Sequence, residues 1–355
     1  MSGALVLRRG RVVEAGPAEG VGEQRLEVEH AGGARRGAVV DLGLHGPAQV
    51  GDEVVVNAQA VDLALGSGGV DVVHVNLTRG LDATGVAGAH VMKLNYTSLQ
   101  HAVHPVEAAD VALPLDGAAG VFSLHGQLAP MAWAFAQAVA RGGGSAPRRL
   151  GYVQTAGGAL PGGHSRLVGE LRERGLLAGH VTAAPAFGGE EEAITTAGGL
   201  AHGLSEHGWD AALLGPGPGI LGSGSLLGHG GLIALDSAHV ALALGCPVVL
   251  CARMSSGDPR ERHRGLSHHT TTVLRLLLRR VTVPLPVGET PEVVQALGHH
   301  WRELPVDLRG YAASGLPTRT MGRTIDEDPV FFAAALAAGT ALADALGPVH
   351  EDDTR

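Results

Sequence analysis

The apolar positions of this chain fall into two rhythms, and the change between them lies near residue 96. Up to that point they come as short runs rich in Val and Leu: Leu5–Val13, Arg25–Glu29, Gly37–Leu42, Glu53–Ala60 and Val70–Leu77. Gly46-Pro47, Gly51-Asp52 and Gly66-Ser67-Gly68-Gly69 punctuate them. Runs of this length between turn residues read as strands, and their spacing predicts a small β-barrel-like or sandwich domain over residues 1–95. Gly85–Asp116 reads as a joint, with residues 96–117 as the linker.

From Gly120 a longer unit repeats: apolar strand, glycine-bearing turn, helix. Val121–Leu124 leads through His125-Gly126-Gln127 into a helix near Leu128–Ala140. Arg149–Gln154 leads through Thr155-Ala156-Gly157-Gly158 into a helix near Ser165–Arg174. Val181–Ala186 leads through Phe187-Gly188-Gly189 into a helix near Glu190–His207. There Ile194, Ala197, Ala201 and Leu204 keep helical spacing, and Glu190–Glu192 suit the positive N-terminus. Ala211–Leu214 is a fourth strand, separated by the glycine-rich stretch Gly215–Gly231 from a helix over Leu232–Leu244.

Pro247–Ala252 reads as a fifth strand, followed by a helix near His268–Arg280 with Ser267 as its cap, then a strand over Val281–Leu285. Thr290-Pro291 opens a further helix with proline at its first position. Together these units predict a mostly parallel, doubly wound sheet with helices on both faces, a Rossmann-like three-layer α/β domain spanning 118–310. Residues 311–355 read as a C-terminal segment ending in the helix Val330–Leu346, with Asp328 as cap and Pro329 first. Its largely apolar surface predicts packing on the α/β domain or on a second subunit of a homo-oligomer.

Composition narrows the choice of chemistry. The 355 residues carry a net charge of −9, which argues against a general nucleic-acid binder. The 55 glycines follow no collagen period and sit between apolar segments, so they read as tight loops. Cys246 and Cys251, as ends of one strand, would stand about 16 Å apart and cannot bridge each other. A start at Met1-Ser2-Gly3 without a signal-type apolar core, and no 18-residue apolar run, predict a soluble cytoplasmic protein with no membrane partner. Lys93 is the only lysine and Asn occurs only at 57, 76 and 95, a bias that reads as codon pressure favouring Ala, Gly, Arg and His. The 19 histidines therefore count for less as metal ligands. The disfavoured residues cluster at Met92-Lys93-Leu94-Asn95-Tyr96, which makes Lys93 a candidate catalytic amine or charge clamp, with a buried ion pair as the structural alternative.

Ligands of parallel sheets sit beyond the carboxyl ends of the strands, where these glycine-bearing turns fall. Gly217–Gly222 matches G-x-G-x-x-G, but a dinucleotide site needs a helix starting inside the motif and an acid about 20 residues on, closing the next strand. Here glycines continue to Gly231 and Asp236 falls within the helix, so the dinucleotide reading fails. No lysine follows the glycines, so a P-loop fails too. What remains is an anion nest of amides from Gly215, Gly217, Gly219, Gly222 and Gly224, with hydroxyls from Ser223 and Ser225 and with His229, Thr155 and Gly157 nearby. The plain alternative is a structural turn that tolerates glycine.

Arg253–Thr270 leaves the fifth strand on the same edge. Asp258-Pro259 with Glu261 reads as a capped turn that accounts for both acids. It does not account for Arg253, Arg260, Arg262 and Arg264, which suit bidentate capture of carboxylate or phosphate, with Ser255 in the same turn. His263, His268 and His269 lack H-E-x-x-H spacing, and adjacent His268 and His269 should point apart on a helix. No metal is assigned; His263 and His268 are the weak candidates. A helix N-terminus lowers a histidine pKa, so His268 or His269 suits a neutral general base. Serine-nucleophile chemistry lacks G-x-S-x-G, since Gly163-His164-Ser165 has no second glycine.

Met92-Lys93-Leu94 with Tyr96-Thr97, the Gly215–Gly231 loop, and Asp258–Gly265 with Ser267-His268-His269 resemble a bacterial family catalogued as domain of unknown function 3866. The likeness runs over most of the chain. That family carries Gly-Thr-Gly-Thr where this chain has Gly222-Ser223-Gly224-Ser225, which keeps both hydroxyls. The resemblance implies a recurrent protein and no particular activity or cofactor. The residues themselves point to a small phosphorylated or carboxylated metabolite, handled by a transferase or hydrolase rather than a redox enzyme. In that reading the loop amides hold the anion, Arg253 neutralises it and His268 or His269 moves protons. The alternative is a non-catalytic binding or assembly protein that uses the β domain and the last helix as interfaces.

Overall fold

The computed structural model describes residues 4–18, 22–65, 68–142, 147–289 and 292–347. The expected turn residues Gly66-Ser67 and the helix start Thr290-Pro291 lie outside the described residues. The chain divides into two compact units, Met1–His104 with Pro161–Ser165, and Pro105–Leu160 with Arg166–Arg355.

The first unit is built on β1 (Leu7–Ala15), β2 (Glu23–His30), β3 (Arg35–Asp41), β4 (Glu53–Asn57) and β5 (Asp71–Asn76). They close into a barrel in the order β1-β2-β3-β5-β4. Inward-facing Val12, Leu26, Val28, Ala38, Val40, Val54, Val56 and Val73 fill it. Asp41 caps the short helix α1 (Leu42–His45) by accepting from the Leu44 amide. The expected strand Glu53–Ala60 stops at Asn57, and its last residues turn instead into α2 (Gln59–Asp62). Within the expected joint, β6 (Val91–Lys93) and β7 (His101–Val103) pair antiparallel.

The second unit is a parallel α/β domain. Its strands are β8 (Ala118–Val121), β9 (Leu150–Thr155), β10 (Gly179–Ala183), β11 (Glu191–Ala193), β12 (Ala211–Pro216) and β13 (Val248–Leu250), with β16 (Thr282–Pro286) and β17 (His300–Leu304) beyond. Between β13 and β16 lies the small hairpin of β14 (Met254–Ser255) and β15 (Gly265–Leu266). The sheet runs β11-β10-β9-β12-β8-β13-β16-β17, parallel throughout. The helices are α3 (Leu128–Arg141), α4 (Arg166–Glu173), α5 (Thr196–Ser205), α6 (Ile233–Ala243), α7 (His268–Leu276), α8 (Glu292–Ala296), α9 (Leu308–Ala313) and α10 (Pro329–Asp344). α3 and α10 share one core with Phe122, Leu213 and Val249. α5, α6 and α7 share the other, on the opposite face, with Val121, Leu214 and Leu250. Helices α3 and α10 approach closely at Gly339, where a Cβ would stand 2.1 Å from the Met131 carbonyl oxygen.

Three local expectations change. Glu190–Glu192 do not open a helix: Glu191–Ala193 pair with Val181–Ala183 as an edge strand, and Thr195 caps α5 by accepting from the Gly198 amide. α7 ends at Leu276 rather than Arg280. Pro329 does open α10, but the Asp328 carboxylate makes no capping bond there because other donors claim it. Cys246 and Cys251 are free and buried. Among the described residues no helix is long and apolar enough to cross a membrane.

Candidate functional site

The sheet order places β8 between β12 and β13. The connections after β8 and β12 lead to α3 and α6, whose cores lie on opposite faces. A crevice opens where connections diverge in this way, outside the carboxyl ends of the strands. The segments after β8, β12 and β13 meet there around a cavity of about 450 Å³. Arg253, Arg260, Arg262, Arg323, Asp258, His263, His269, Gly222 and Ser223 are among its lining residues.

The arginines are set by two buried carboxylates. Asp258 is fully buried and accepts from Arg260 through both oxygens, at 2.9 and 2.8 Å. Arg323 approaches the same carboxylate at 3.4 Å and Arg253 at 3.8 Å. The Arg260 hydrogen bonds, with the surrounding guanidinium charges, hold Asp258 well below the usual carboxylate range. Asp258 also accepts from the Arg260 amide, so a local turn is present. The turn-cap reading was incomplete, because most of this carboxylate's partners are guanidiniums. Asp328 accepts from Ser255 Oγ at 2.6 Å, the Ser256 amide at 2.8 Å and Arg323 Nε at 2.9 Å, tying the start of α10 to the turn after β14. Among the described residues Arg262 makes no ion pair.

Arg253 itself is buried, and burial beside Arg260 pulls it down to about 10, still a cation at neutral pH. Its Nη1 lies 2.8 Å from His269 Nδ1. A guanidinium can only donate, so His269 Nδ1 must be the lone-pair nitrogen and Nε2 carries the hydrogen. Burial and the Arg253 charge push the His269 pKa down to about 2, which keeps the ring neutral. His269 is thereby a hydrogen-bond donor at Nε2, which corrects its reading as a general base.

Four imidazoles crowd here. His229 and His269 stack with ring centroids 3.7 Å apart and planes 6° off parallel. His268 lies 4.4 Å from His269 and 4.9 Å from His263. The expectation that neighbouring His268 and His269 diverge fails, because both rings join the cluster at the first turn of α7. Ser267 caps α7 and also meets His263 Nδ1 at 2.7 Å. Burial lowers the pKa of His229 and of His268, and brings His263 down to about 3.

His229, His268 and His269 bring one ligand atom each to within 4.8 Å of one another. A divalent cation needs imidazole lone pairs lying in the ring planes. His269 Nε2 has lost its lone pair to the tautomer fixed by Arg253. The near-parallel stack also leaves no point within coordinating reach that lies in the planes of both His229 and His269. A second trio, Glu191 with His202 and His207, is joined by hydrogen bonds of 3.2 and 2.5 Å to one carboxylate oxygen and does not line this cavity.

The glycine-rich loop divides its work. Gly215 and Gly217 are packing positions, where a Cβ would meet Phe122 at 2.5 Å and the Ala159 carbonyl oxygen at 2.5 Å. Gly219 lies outside the cavity lining. Gly222 and His229 form an isolated bridge that closes the loop into an exposed hairpin carrying Gly224 and Ser225 near its tip. Ser223 Oγ donates to the Gly228 carbonyl at 2.9 Å and lies 2.8 Å from Ser225 Oγ, which accepts from the Gly228 amide. The two hydroxyls brace the hairpin rather than standing as a free donor pair. Thr155 is buried at the end of β9, and Ser255 is taken up by Asp328. Lys93 is buried on β6 of the first unit.

Sequence reasoning missed Asp258 as an arginine organiser, along with Arg323, Asp328 and Ser123. Ser123 follows β8, and its buried Oγ has no hydrogen-bond partner among the described residues. A Cβ on Gly231 would lie 3.5 Å from Ser123 Cβ, 3.1 Å from His229 Nδ1 and 3.2 Å from His269 Nδ1. Glycine at 231 therefore leaves room for the histidine stack.

Fold and site together define an α/β protein with an arginine- and histidine-lined cavity at the carboxyl edge of a parallel sheet. The chain belongs to the family described as "Protein of unknown function (DUF3866)", which matches residues 38–339. No curated protein and no solved structure matches it.

Proposed function

We propose that the cavity binds a small anionic metabolite, phosphorylated or carboxylated, on which the protein acts as a transferase or hydrolase. One observation carries this reading: Arg253 Nε and His269 Nε2, two buried donors without an acceptor among the described residues, belong to residues lining the same cavity. Each buried donor left unpaired costs about 1–3 kcal/mol, and an anion accepts from both. Four arginines against the single carboxylate of Asp258 bias the lining toward an anion and against a free metal cation. Fixed cationic donors also stabilise charge that develops on a phosphoryl or acyl group during transfer. Proton transfer falls to His268 rather than to His269: its half-buried ring packs 4.4 Å from that of His269, beside the cavity lining, and its Nε2 has no hydrogen-bond partner among the described residues.

Calorimetric titration with inorganic phosphate, supported by thermal shift with phosphate esters, carboxylates and divalent metals, tests the reading. Saturable phosphate binding is expected, weakened at least tenfold in Arg253→Met. Absence of binding, or equal binding by wild type and variant, would overturn it.

A further inference from the structure

Beside the arginine-lined cavity lies a groove of about 510 Å³ with no charged side chain in its lining. Its walls include Gly157, Gly158, Leu160, Gly228 and His229, and it shares Leu221 and Gly222 with the cavity. The two spaces therefore adjoin across one short stretch of chain. They also share an aromatic wall, since His229 lines the groove, His269 lines the cavity and the rings stack at 3.7 Å. The groove is walled by backbone because no side chain fits: a Cβ on Gly158 would stand 2.3 Å from the Gly217 carbonyl oxygen, and one on Gly230 2.2 Å from that of Gly157. His229 is 6% exposed; the Leu226 backbone carbonyl accepts from one ring nitrogen, and the other has no hydrogen-bond partner among the described residues. An anion confined to the cavity accepts from Arg253 and His269 but leaves that second His229 nitrogen unsatisfied.

The geometry points to a two-part ligand: a dianionic phosphoryl head in the cavity, joined to a compact, uncharged, flat body that lies in the groove and offers His229 a polar atom. This inference rests on the anion reading above and narrows it. Four guanidiniums offset by the carboxylates of Asp258 and Asp328 leave two positive charges, which suits a phosphate monoester better than a carboxylate. The lack of charge in the groove excludes a second ionised group on the body.

Titration calorimetry on the full chain with inorganic phosphate and with 4-hydroxyphenyl phosphate tests it. The aryl ester is expected to bind at least tenfold more tightly than phosphate. On Leu160→Trp, which fills the groove, that ratio is expected to fall to near one, and on His229→Phe to shrink severalfold; a thermal melt of each variant confirms folding. Equal affinities in the wild type, or a ratio unchanged in Leu160→Trp, would overturn the two-part ligand while leaving the anion site standing. Failure of both compounds to bind would overturn the anion site and this inference with it.

Discussion

A single contact sets the chemical character of the site: the Arg253 guanidinium against His269 Nδ1 at 2.8 Å. A donor that cannot accept fixes the tautomer of a ring that can do either. This makes pH dependence predictable. His263 and His269 have folded-state pKa values of about 3 and about 2 against an ordinary 6.5, so the unfolded chain binds their protons first as pH falls. Their contribution to stability is complete above about pH 6.5 and is lost progressively as pH drops toward 3, at up to ~1.4 kcal/mol per unit for each ring. The melting midpoint should fall between pH 7 and pH 5, less steeply in His269→Asn; a flat profile across that range would contradict these environments. Arg253 and the histidines were legible from sequence because their types are distinctive and they follow a strand end. Asp258 was legible only as a cap, because its burial depends on Arg323, which is remote in sequence.

The elements built around buried apolar runs were readable, and those that lacked such runs were not. β11 is Glu-Glu-Ala, and four of the five residues of β17 are exposed. Both are edge strands of the parallel sheet, covered too little to carry the continuous apolar signature of its centre. The helical spacing around Ile194 absorbed β11 into a helix for the same reason. Two substitutions test the element contacts. Gly339→Ala forces a methyl into the Met131 carbonyl where α10 meets α3, and should cost about 1–3 kcal/mol, read as a melting midpoint lowered by several degrees. Asp328→Ala removes the acceptor shared by the Ser255–Gly257 turn and Arg323, and should lower both the midpoint and phosphate affinity. Unchanged phosphate binding in a folded Asp328→Ala protein would show that the arginines do not depend on that frame.

Across the whole molecule, a chain of net charge −9 gathers four arginines around one cavity at the carboxyl edge of its parallel sheet. Sequence periodicity located that edge, but the order that sets β8 between β12 and β13 is a property of long-range pairing and was not readable. Binding led by those charges should weaken as ionic strength rises from low to physiological salt; salt-independent phosphate affinity would argue for a different site. In the proposed site a neutral His269, locked by Arg253, donates from Nε2 to the bound anion. Proton–nitrogen correlation spectra of the histidine rings, recorded during a phosphate titration at neutral pH, test this donation. A bare Nδ1 and a protonated Nε2 are expected, with the Nε2 proton moving downfield saturably with phosphate in the wild type but not in Arg253→Met. A proton on Nδ1, or an Nε2 resonance indifferent to phosphate, would contradict it.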